Sequence, residues 1–200
     1  MLSVTGVPPQ VHTTSRGSMV PLRFTSMATS NFPAADEYGP AFAGYVARIA
    51  NHEDIVTAMA AQLDQFLARL AALPNPRGEY RYAPGKWRLK EVVGHLSDTE
   101  CVFAYRALRV ARGDTIPLRA FDDQAWVAQM GADARTLADM VAEWADVRRA
   151  SLHLFQHLPA AAWTRRGTAS EQPISVRSLA YVVVGHARHH LEVVEARYLT

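Results

Sequence analysis

Three histidines in two distant segments have the residue type and spacing of a metal site. His95 lies in the run Gly-His-Leu-Ser-Asp at 94–98, and His186 and His190 lie in Gly-His-Ala-Arg-His-His at 185–190. Imidazole is the commonest metal ligand in proteins. On a helix, residues four positions apart differ in direction by about 40°, so His186 and His190 can face one ion. With His95 from a neighbouring helix they offer three ligands and leave one coordination position open, as catalytic metal sites do.

Spacing alone is weak support for a site, because the chain holds a second pair of the same kind. His153 and His157 are also four positions apart, near the predicted C-terminus of another helix. Polar and cationic histidines are favoured there by the helix dipole. No third ligand is in prospect for that pair, so we interpret it as structural. His189 is directed about 60° to the other side of His186 and is open to two roles, a substitute ligand or a pocket-lining residue.

Charged residues beside His95 add candidates for the surroundings of the metal. Arg106 lies on the same helical stripe as His95, and its planar fork suits a carboxylate or phosphate group. The alternative for Arg106 is a solvated ion pair of little energetic value, which is also our interpretation of Arg109. Asp98 or Glu100 would serve as the acceptor that fixes the tautomer of a ligating histidine.

Composition limits the classes of protein to consider. The 200 residues are 49% apolar, which favours one domain with a substantial core. A net charge of +2 gives no electrostatic case for nucleic acid or an anionic membrane, and no stretch approaches the roughly 20 apolar residues of a membrane span. The single cysteine, Cys101, excludes an intramolecular disulfide and fits a reducing cytoplasm. Its apolar neighbours predict a buried, inert thiol.

Hydrophobic periodicity predicts an all-α protein, a four-helix bundle with long inter-helix loops. The helices are expected at about Glu53–Leu73, Arg88–Arg112, Ala134–Leu158 and Val176–Leu199. Asn51 and Ser175 are the predicted N-caps of the first and last of these helices. The connections exceed the two to eight residues or so that are usual in bundles, which permits a crossover and marks the loops as carriers of function. No strand-like alternation of any length is visible.

The first 35 residues differ in composition from the rest of the chain. Residues 1–33 are rich in Ser, Thr, Pro and Gly, and they contain no continuous apolar segment of the kind that secretory signals have. We therefore expect 1–35 to be a disordered tail or an over-long gene start, with Met19 or Met27 as the initiator. The bundle domain is expected to occupy 36–200.

Several motifs in order make the chain resemble a known family. They are Tyr-Ala-Pro-Gly-Lys-Trp at 82–87, Glu-Val-Val-Gly-His-Leu-Ser-Asp-Thr-Glu at 91–100, Arg106, Pro-Leu-Arg-Ala-Phe-Asp-Asp-Gln-Ala-Trp at 117–126 and Gly-His-Ala-Arg-His-His-Leu at 185–191. Together they resemble the DinB superfamily, in particular its YfiT-like branch of metal-dependent hydrolases and bacillithiol transferases. The similarity extends over about residues 42–200 and omits the N-terminal tail.

The resemblance implies a fold, an assembly and a ligand set. It implies a four-helix bundle of the up-down-down-up kind, commonly a homodimer, with a divalent metal held by three histidines that correspond to His95, His186 and His190. Imidazole suits several divalent metals, and zinc or nickel is our prediction. The family usually has a glutamate after the late Gly-His, whereas this chain has Ala187.

Three functions follow as hypotheses. The first is a cytoplasmic metal-dependent transferase that activates a low-molecular-weight, bacillithiol-like thiol for transfer to an electrophile, with Arg106 binding an acidic group of the thiol. The second is a metal-dependent hydrolase that uses metal-bound hydroxide. The third is a non-catalytic, stress-related metal-binding protein, which a fourth protein ligand such as His189 would favour. The expected partners are a small thiol and an electrophile, with no nucleic acid and no membrane.

Overall fold

A computed structural model describes residues 32–51 and 53–199 of the chain. Its helices are α1 (Ala43–Val46), α2 (Ile55–Leu70), α3 (Leu89–Ala111), α4 (Asp123–Gln129), α5 (Leu137–Gln156), α6 (Ala160–Trp163) and α7 (Val176–Arg197), with strands β1 (Arg166–Ala169) and β2 (Gln172–Ser175) before α7. Short 3-10 turns cover Ala35–Glu37, Pro40–Phe42, Asn75–Glu79 and Ala132–Ala134. The four long helices confirm the predicted all-α bundle.

Side chains that cap the backbone determine where two of the long helices, α2 and α7, begin. The predicted cap Ser175 is confirmed, because its Oγ accepts a hydrogen bond from Ser178 N at 3.0 Å. The predicted cap Asn51 is wrong, because Asp54 caps α2 instead by accepting from Thr57 N at 2.8 Å. A carboxylate three residues later in the chain offers the same acceptor, so the helix starts there.

The four long helices form a ring in which α2 and α3, although consecutive in sequence, are not neighbours. Helix α3 packs mainly against α5 and α7, and α2 packs against the same two helices, so α2 and α3 lie at opposite corners. The long loops make this order feasible, as the sequence predicted. Phe66 of α2 and Trp144 of α5 are fully buried in the core, with ring centroids 4.1 Å apart.

A buried ion pair connects the corners of the ring. The guanidinium of Arg148, which has no exposed surface, donates to both carboxylate oxygens of Glu100, with Nε–Oε1 and Nη2–Oε2 distances of 2.8 Å. It also donates to Gln62 Oε1 at 2.6 Å, and Gln62 Nε2 donates to Val184 O at 3.0 Å. One network therefore joins α5, α3, α2 and α7.

The expectation that the chain has no strands is wrong, because the loop before α7 folds into a hairpin. Strands β1 and β2 pair antiparallel, with Arg166 opposite Ser175. The turn residues Ser170 and Glu171 both have positive φ, at 54° and 61°. Such turns are normally marked by Asn or Gly, and strands of four residues are too short to show alternation. The sequence therefore carried no signal for this hairpin.

Three other predictions concern the N-terminal tail, the surroundings of Cys101 and the absence of a membrane span. The tail predicted at 1–35 lies almost wholly outside the described residues, although Phe32 already packs edge-on against Tyr181 with ring centroids 5.2 Å apart. Cys101 is exposed rather than buried, because it lies on the outward side of α3. Partial burial and the neighbouring Glu100 carboxylate raise the pKa of its thiol.

Within the described ranges, none of the helices combines the length and apolarity that crossing a membrane requires.

Candidate metal centre

Close backbone packing fixes the position of the late histidine pair on α7. A Cβ atom at Gly185 would lie 2.1 Å from the carbonyl oxygen of Tyr45, so only glycine lets α1 approach α7 this closely. This contact brings the Tyr45 ring edge-on to His186, with centroids 5.2 Å apart. Gly94 precedes His95 on α3, and there a Cβ would meet the ends of two methionine side chains instead.

The three histidines predicted from the sequence converge between α3 and α7. His95 Nε2 and His186 Nε2 are 3.1 Å apart, and one ring nitrogen from each of His95, His186 and His190 lies within 4.8 Å of the others. Two nitrogens bound to one tetrahedral metal at about 2.0–2.1 Å would be about 3.4 Å apart. The spacing therefore suits a shared ion, and no other group of three metal-ligating side chains occurs in the part of the chain described.

Burial keeps these imidazoles neutral, which is the protonation state that binds metals. Desolvation lowers the pKa of His95 to about 4 and that of His190 to about 3. Desolvation, reinforced by the other histidines, also places the pKa of His186 well below its ordinary value. Protons therefore compete poorly for these nitrogens at neutral pH.

The surroundings of His95 differ from the expectation that a carboxylate would orient it. Glu100 is bound to Arg148, so it is not the acceptor predicted for a histidine. No hydrogen bond joins Asp98 to a histidine within the described residues. Instead Thr99 Oγ1 lies 3.4 Å from His95 Nδ1, and the Trp87 ring lies against His95 with centroids 4.8 Å apart. The aromatic ring and the hydroxyl together hold the imidazole so that Nε2 faces the cluster.

The three other histidines that the structure describes lie apart from the cluster. His189 Nδ1 lies 3.1 Å from Arg48 Nη2, and Arg48 also pairs with Glu192, so His189 is bound outside the triad. His153 and His157 stack at the end of α5, where His157 Nδ1 lies 2.8 Å from the carbonyl oxygen of His153. No third metal-ligating group joins that pair in the ranges described.

One face of the triad opens into a cleft of about 400 Å³, here called the Arg106 cleft. Its lining includes two metal-ligand candidates, aromatic rings and three polar groups: Tyr45, His95, Phe103, Arg106, Phe121, Asp123, Ser170 and His186. Arg106 is only 2% exposed, and its Nη2 donates to Arg119 O at 2.7 Å and to Ser170 Oγ at 3.2 Å. It forms no ion pair with any described residue, and desolvation lowers its pKa.

His190 faces a second cavity of about 290 Å³, here called the Trp87 cavity. It is lined by residues of three separate segments, Tyr82, Gly85, Lys86, Trp87, Val92, Gln124, His189, His190, Val193 and Tyr198. Helix α4 begins between the two spaces, because Asp123 lines the Arg106 cleft and Gln124 lines the Trp87 cavity. The triad is therefore accessible from two sides.

Sequence reasoning did not single out Tyr45 or Asp123 as site residues. Tyr45 reaches His186 from a four-residue helix that has no periodic pattern. Asp123 belongs to the motif at 117–126 that carried part of the family resemblance, and that motif was the one available signal. Which of its two aspartates would face the histidines depends on how the loop folds.

The donor set fits one divalent metal. Three neutral imidazoles converge, and within the described residues no fourth histidine, cysteine or carboxylate completes the group. Three protein ligands with an open position are the arrangement of catalytic rather than structural metal sites. Water and substrates could reach that position from the Arg106 cleft, because His95 and His186 line it.

Comparison with known proteins agrees with this fold. The DinB superfamily profile matches residues 28–194, so the chain belongs to the DinB superfamily. Among solved structures, the chain is similar to YfiT from Bacillus subtilis, described as a probable metal-dependent hydrolase with an unusual four-helix bundle topology. The TM-score is 0.61 at 17% identity, covering 71% of this chain and 85% of YfiT. No curated protein matches the chain.

Proposed function

We propose that the chain is a metal-dependent transferase that activates a low-molecular-weight thiol and transfers it to an electrophile. The observation that carries the proposal is the open three-histidine cluster with a cavity on each side. Zinc or nickel is the proposed metal, held by His95, His186 and His190. When bound, such an ion lowers the pKa of a thiol or water molecule that takes its open position.

Two cavities favour a reaction between two small molecules over hydrolysis of one. A transfer needs a thiol and an electrophile at the same centre, and the Arg106 cleft and the Trp87 cavity give each a separate approach to the histidines. In hydrolysis the second reactant is water, which needs no cavity of its own. The division of the site by the start of α4 therefore supports transfer.

The surroundings of Arg106 favour a substrate that carries an anionic group. A guanidinium that is nearly fully buried without a carboxylate is costly unless a ligand neutralises it. Phe103 and Phe121 lie beside it, with ring centroids 5.9 Å and 5.5 Å from its Cζ, and they exclude water from a charge-assisted hydrogen bond. We propose that Arg106 binds a carboxylate or a similar anion of the thiol substrate, as bacillithiol-like thiols would present.

Metal-dependent hydrolysis is the second candidate. It is favoured by the description of YfiT, to which the fold is similar, as a probable metal-dependent hydrolase. The same histidines would serve, and the Arg106 cleft would bind the group to be cleaved. A non-catalytic metal-binding role is the third candidate, and the absence of a fourth ligand in the described residues speaks against it.

A rate assay with two kinds of substrate distinguishes these functions. Protein loaded with zinc or nickel is mixed with bacillithiol, cysteine or mercaptopropionate and the electrophile chlorodinitrobenzene, and separately with nitrophenyl acetate and no thiol. Transfer is expected with at least one thiol and is expected to fall to the uncatalysed rate in His95→Ala. His153→Ala, in the pair outside the cluster, is the matched control and is expected to keep the rate.

The other outcomes of this assay decide against transfer. Ester hydrolysis that needs the metal and His95, without transfer to any thiol, would assign the chain to the hydrolases. Inactivity in both assays, with metal bound, would leave the non-catalytic role.

A further inference from the structure

We propose that Asp123 is a catalytic residue whose carboxylate accepts the proton of the nucleophile that reacts at the three-histidine cluster. This inference rests on the proposed function in one respect, namely that a protic molecule binds beside His95. It does not depend on whether that molecule is a thiol.

The local structure of α4 leaves the Asp123 carboxylate free. Asp122 is the N-cap, because its Oδ1 accepts a hydrogen bond from Ala125 N at 3.0 Å. Asp123 is the first helical residue, lines the Arg106 cleft, and forms no hydrogen bond or ion pair with any described residue. Two adjacent aspartates therefore have different surroundings, and the partly buried one lines the same cleft as His95 and His186.

The charge of Asp123 acts on groups at the centre of the site. It raises the pKa of His95 against the larger effect of desolvation, and it adds to the desolvation that raises the pKa of Tyr45. Tyr45 in turn lies against His186. The carboxylate is thus within electrostatic range of both sides of the triad.

No other side chain lining the Arg106 cleft is suited to take a proton at neutral pH. Among the described residues, its titratable and charged lining groups are Tyr45, His95, Arg106, Asp123 and His186. The two histidines are the proposed ligands, Arg106 is a cation, and Tyr45 is a phenol with a raised pKa. Asp123 is the one carboxylate of that lining.

The proposed step conserves atoms and charge. The S–H bond of the thiol breaks, its electron pair stays on sulfur, and the proton passes to an Oδ atom of Asp123. The sulfur then forms a bond to carbon of the electrophile, while the bond from that carbon to the leaving group breaks. The leaving group departs with the electron pair of that bond, and the proton on Asp123 passes to it or to solvent.

The rate of metal–thiolate formation tests this role without a turnover assay. Protein loaded with cobalt is mixed rapidly with mercaptopropionate at neutral pH, and the sulfur-to-cobalt charge-transfer absorbance reports ligation. A thiol loses its proton when it ligates a metal, so a carboxylate that accepts this proton should speed the step. In Asp123→Asn the rate should fall by on the order of 100-fold, as expected for removing a general base. Asp122→Asn is the matched control, because asparagine is an equally good cap.

A second ligand makes the result independent of the thiol hypothesis. Acetohydroxamate also loses a proton when it binds metals, so the same difference between Asp123→Asn and wild type is expected with it. If mercaptopropionate fails to bind but acetohydroxamate shows the difference, transfer from thiols is contradicted and the role of Asp123 is supported. Equal rates of ligation in wild type and Asp123→Asn overturn the proposal. Binding of neither ligand also overturns it, because no protic ligand then reaches the cluster.

Discussion

The Nε2 atoms of His95 and His186 lie 3.1 Å apart, although the two residues are separated by 91 positions in the chain. This pairing exists because α3 packs along α7 and because Gly185 admits the backbone of Tyr45 next to His186. The position of the candidate site therefore depends on helix packing, and the same contacts contribute to the stability of the bundle.

Acid should destabilise the metal-free protein in a defined range of pH. Burial lowers the pKa of His95 to about 4 and of His190 to about 3, from about 6.5 in the unfolded chain. Between those values the unfolded chain binds more protons, so the stabilisation present above pH 6.5 is lost as the pH falls. We expect the free energy of unfolding to fall by on the order of 1 kcal/mol per pH unit for each buried histidine.

Urea denaturation of metal-free protein between pH 7 and pH 5 measures this slope. That window lies above the ordinary pKa of glutamate, so the carboxylates contribute little to it. The exposed His153 provides the control, because His153→Ala should leave the slope unchanged. A free energy of unfolding that stays constant from pH 7 to pH 5 would show that the three histidines are not buried as neutral groups.

Removing one partner of the Arg148–Glu100 pair should be strongly destabilising. Glu100→Gln leaves the guanidinium of Arg148 buried without a counter-charge. The free energy of unfolding is therefore expected to fall by about 3–5 kcal/mol. The exposed pair Arg149–Asp146, on the same helix as Arg148, is the matched control, and Asp146→Asn should change stability by less than about 1 kcal/mol. Equal losses of stability for the two substitutions in chemical denaturation would contradict the claim that this buried network stabilises the bundle.

Substitution of the two Gly-His glycines should have unequal effects. Gly185→Ala places a methyl group against the Tyr45 carbonyl, and this backbone group cannot easily move away. We therefore expect the free energy of unfolding to fall by about 1–3 kcal/mol or more. Gly94→Ala meets methionine side chains that can rotate away, so a smaller loss is expected. Thermal or urea denaturation of both variants checks the order, which a larger loss in Gly94→Ala would reverse.

Arg106 should determine the preference for anionic thiols. In Arg106→Gln the affinity for mercaptopropionate should fall by about 10-fold or more, as expected for losing a charge-assisted hydrogen bond of about 1.5–3 kcal/mol. The affinity for uncharged mercaptoethanol should change little. Arg109, which pairs with Asp114 on the surface, gives the control variant Arg109→Gln. Equal losses for both thiols would mean that Arg106 supports the fold of the cleft and binds no anion.

The sequence predicted those parts of the site that depend on helical periodicity. His186 and His190 are one turn apart, and the stripe that contains His95 also contains Thr99 and Arg106, which both face the site. The control pair His153 and His157 behaves as predicted for the same reason. The four long helices were predicted to within a few residues, since their apolar faces pack in the core.

The missed features all depend on how the loops fold over the bundle. Tyr45 and Asp123 line the cleft beside the histidines from two short helices, α1 and the start of α4, and neither helix has a repeating pattern. Ser170, which accepts a hydrogen bond from Arg106, is in a hairpin turn with positive φ and no glycine. Glu100 was expected beside a histidine, but which side of α3 meets Arg148 is decided by packing between helices. The predicted homodimer stays a prediction.

Metal content measured on purified protein tests the central claim most directly. After dialysis against zinc or nickel and removal of free metal, elemental analysis should find about one ion per chain, since three imidazoles converge on one position. His186→Ala should lose the ion, and His157→Ala should retain it. Absence of bound metal in the wild type, or equal metal content in His186→Ala and wild type, would contradict the account.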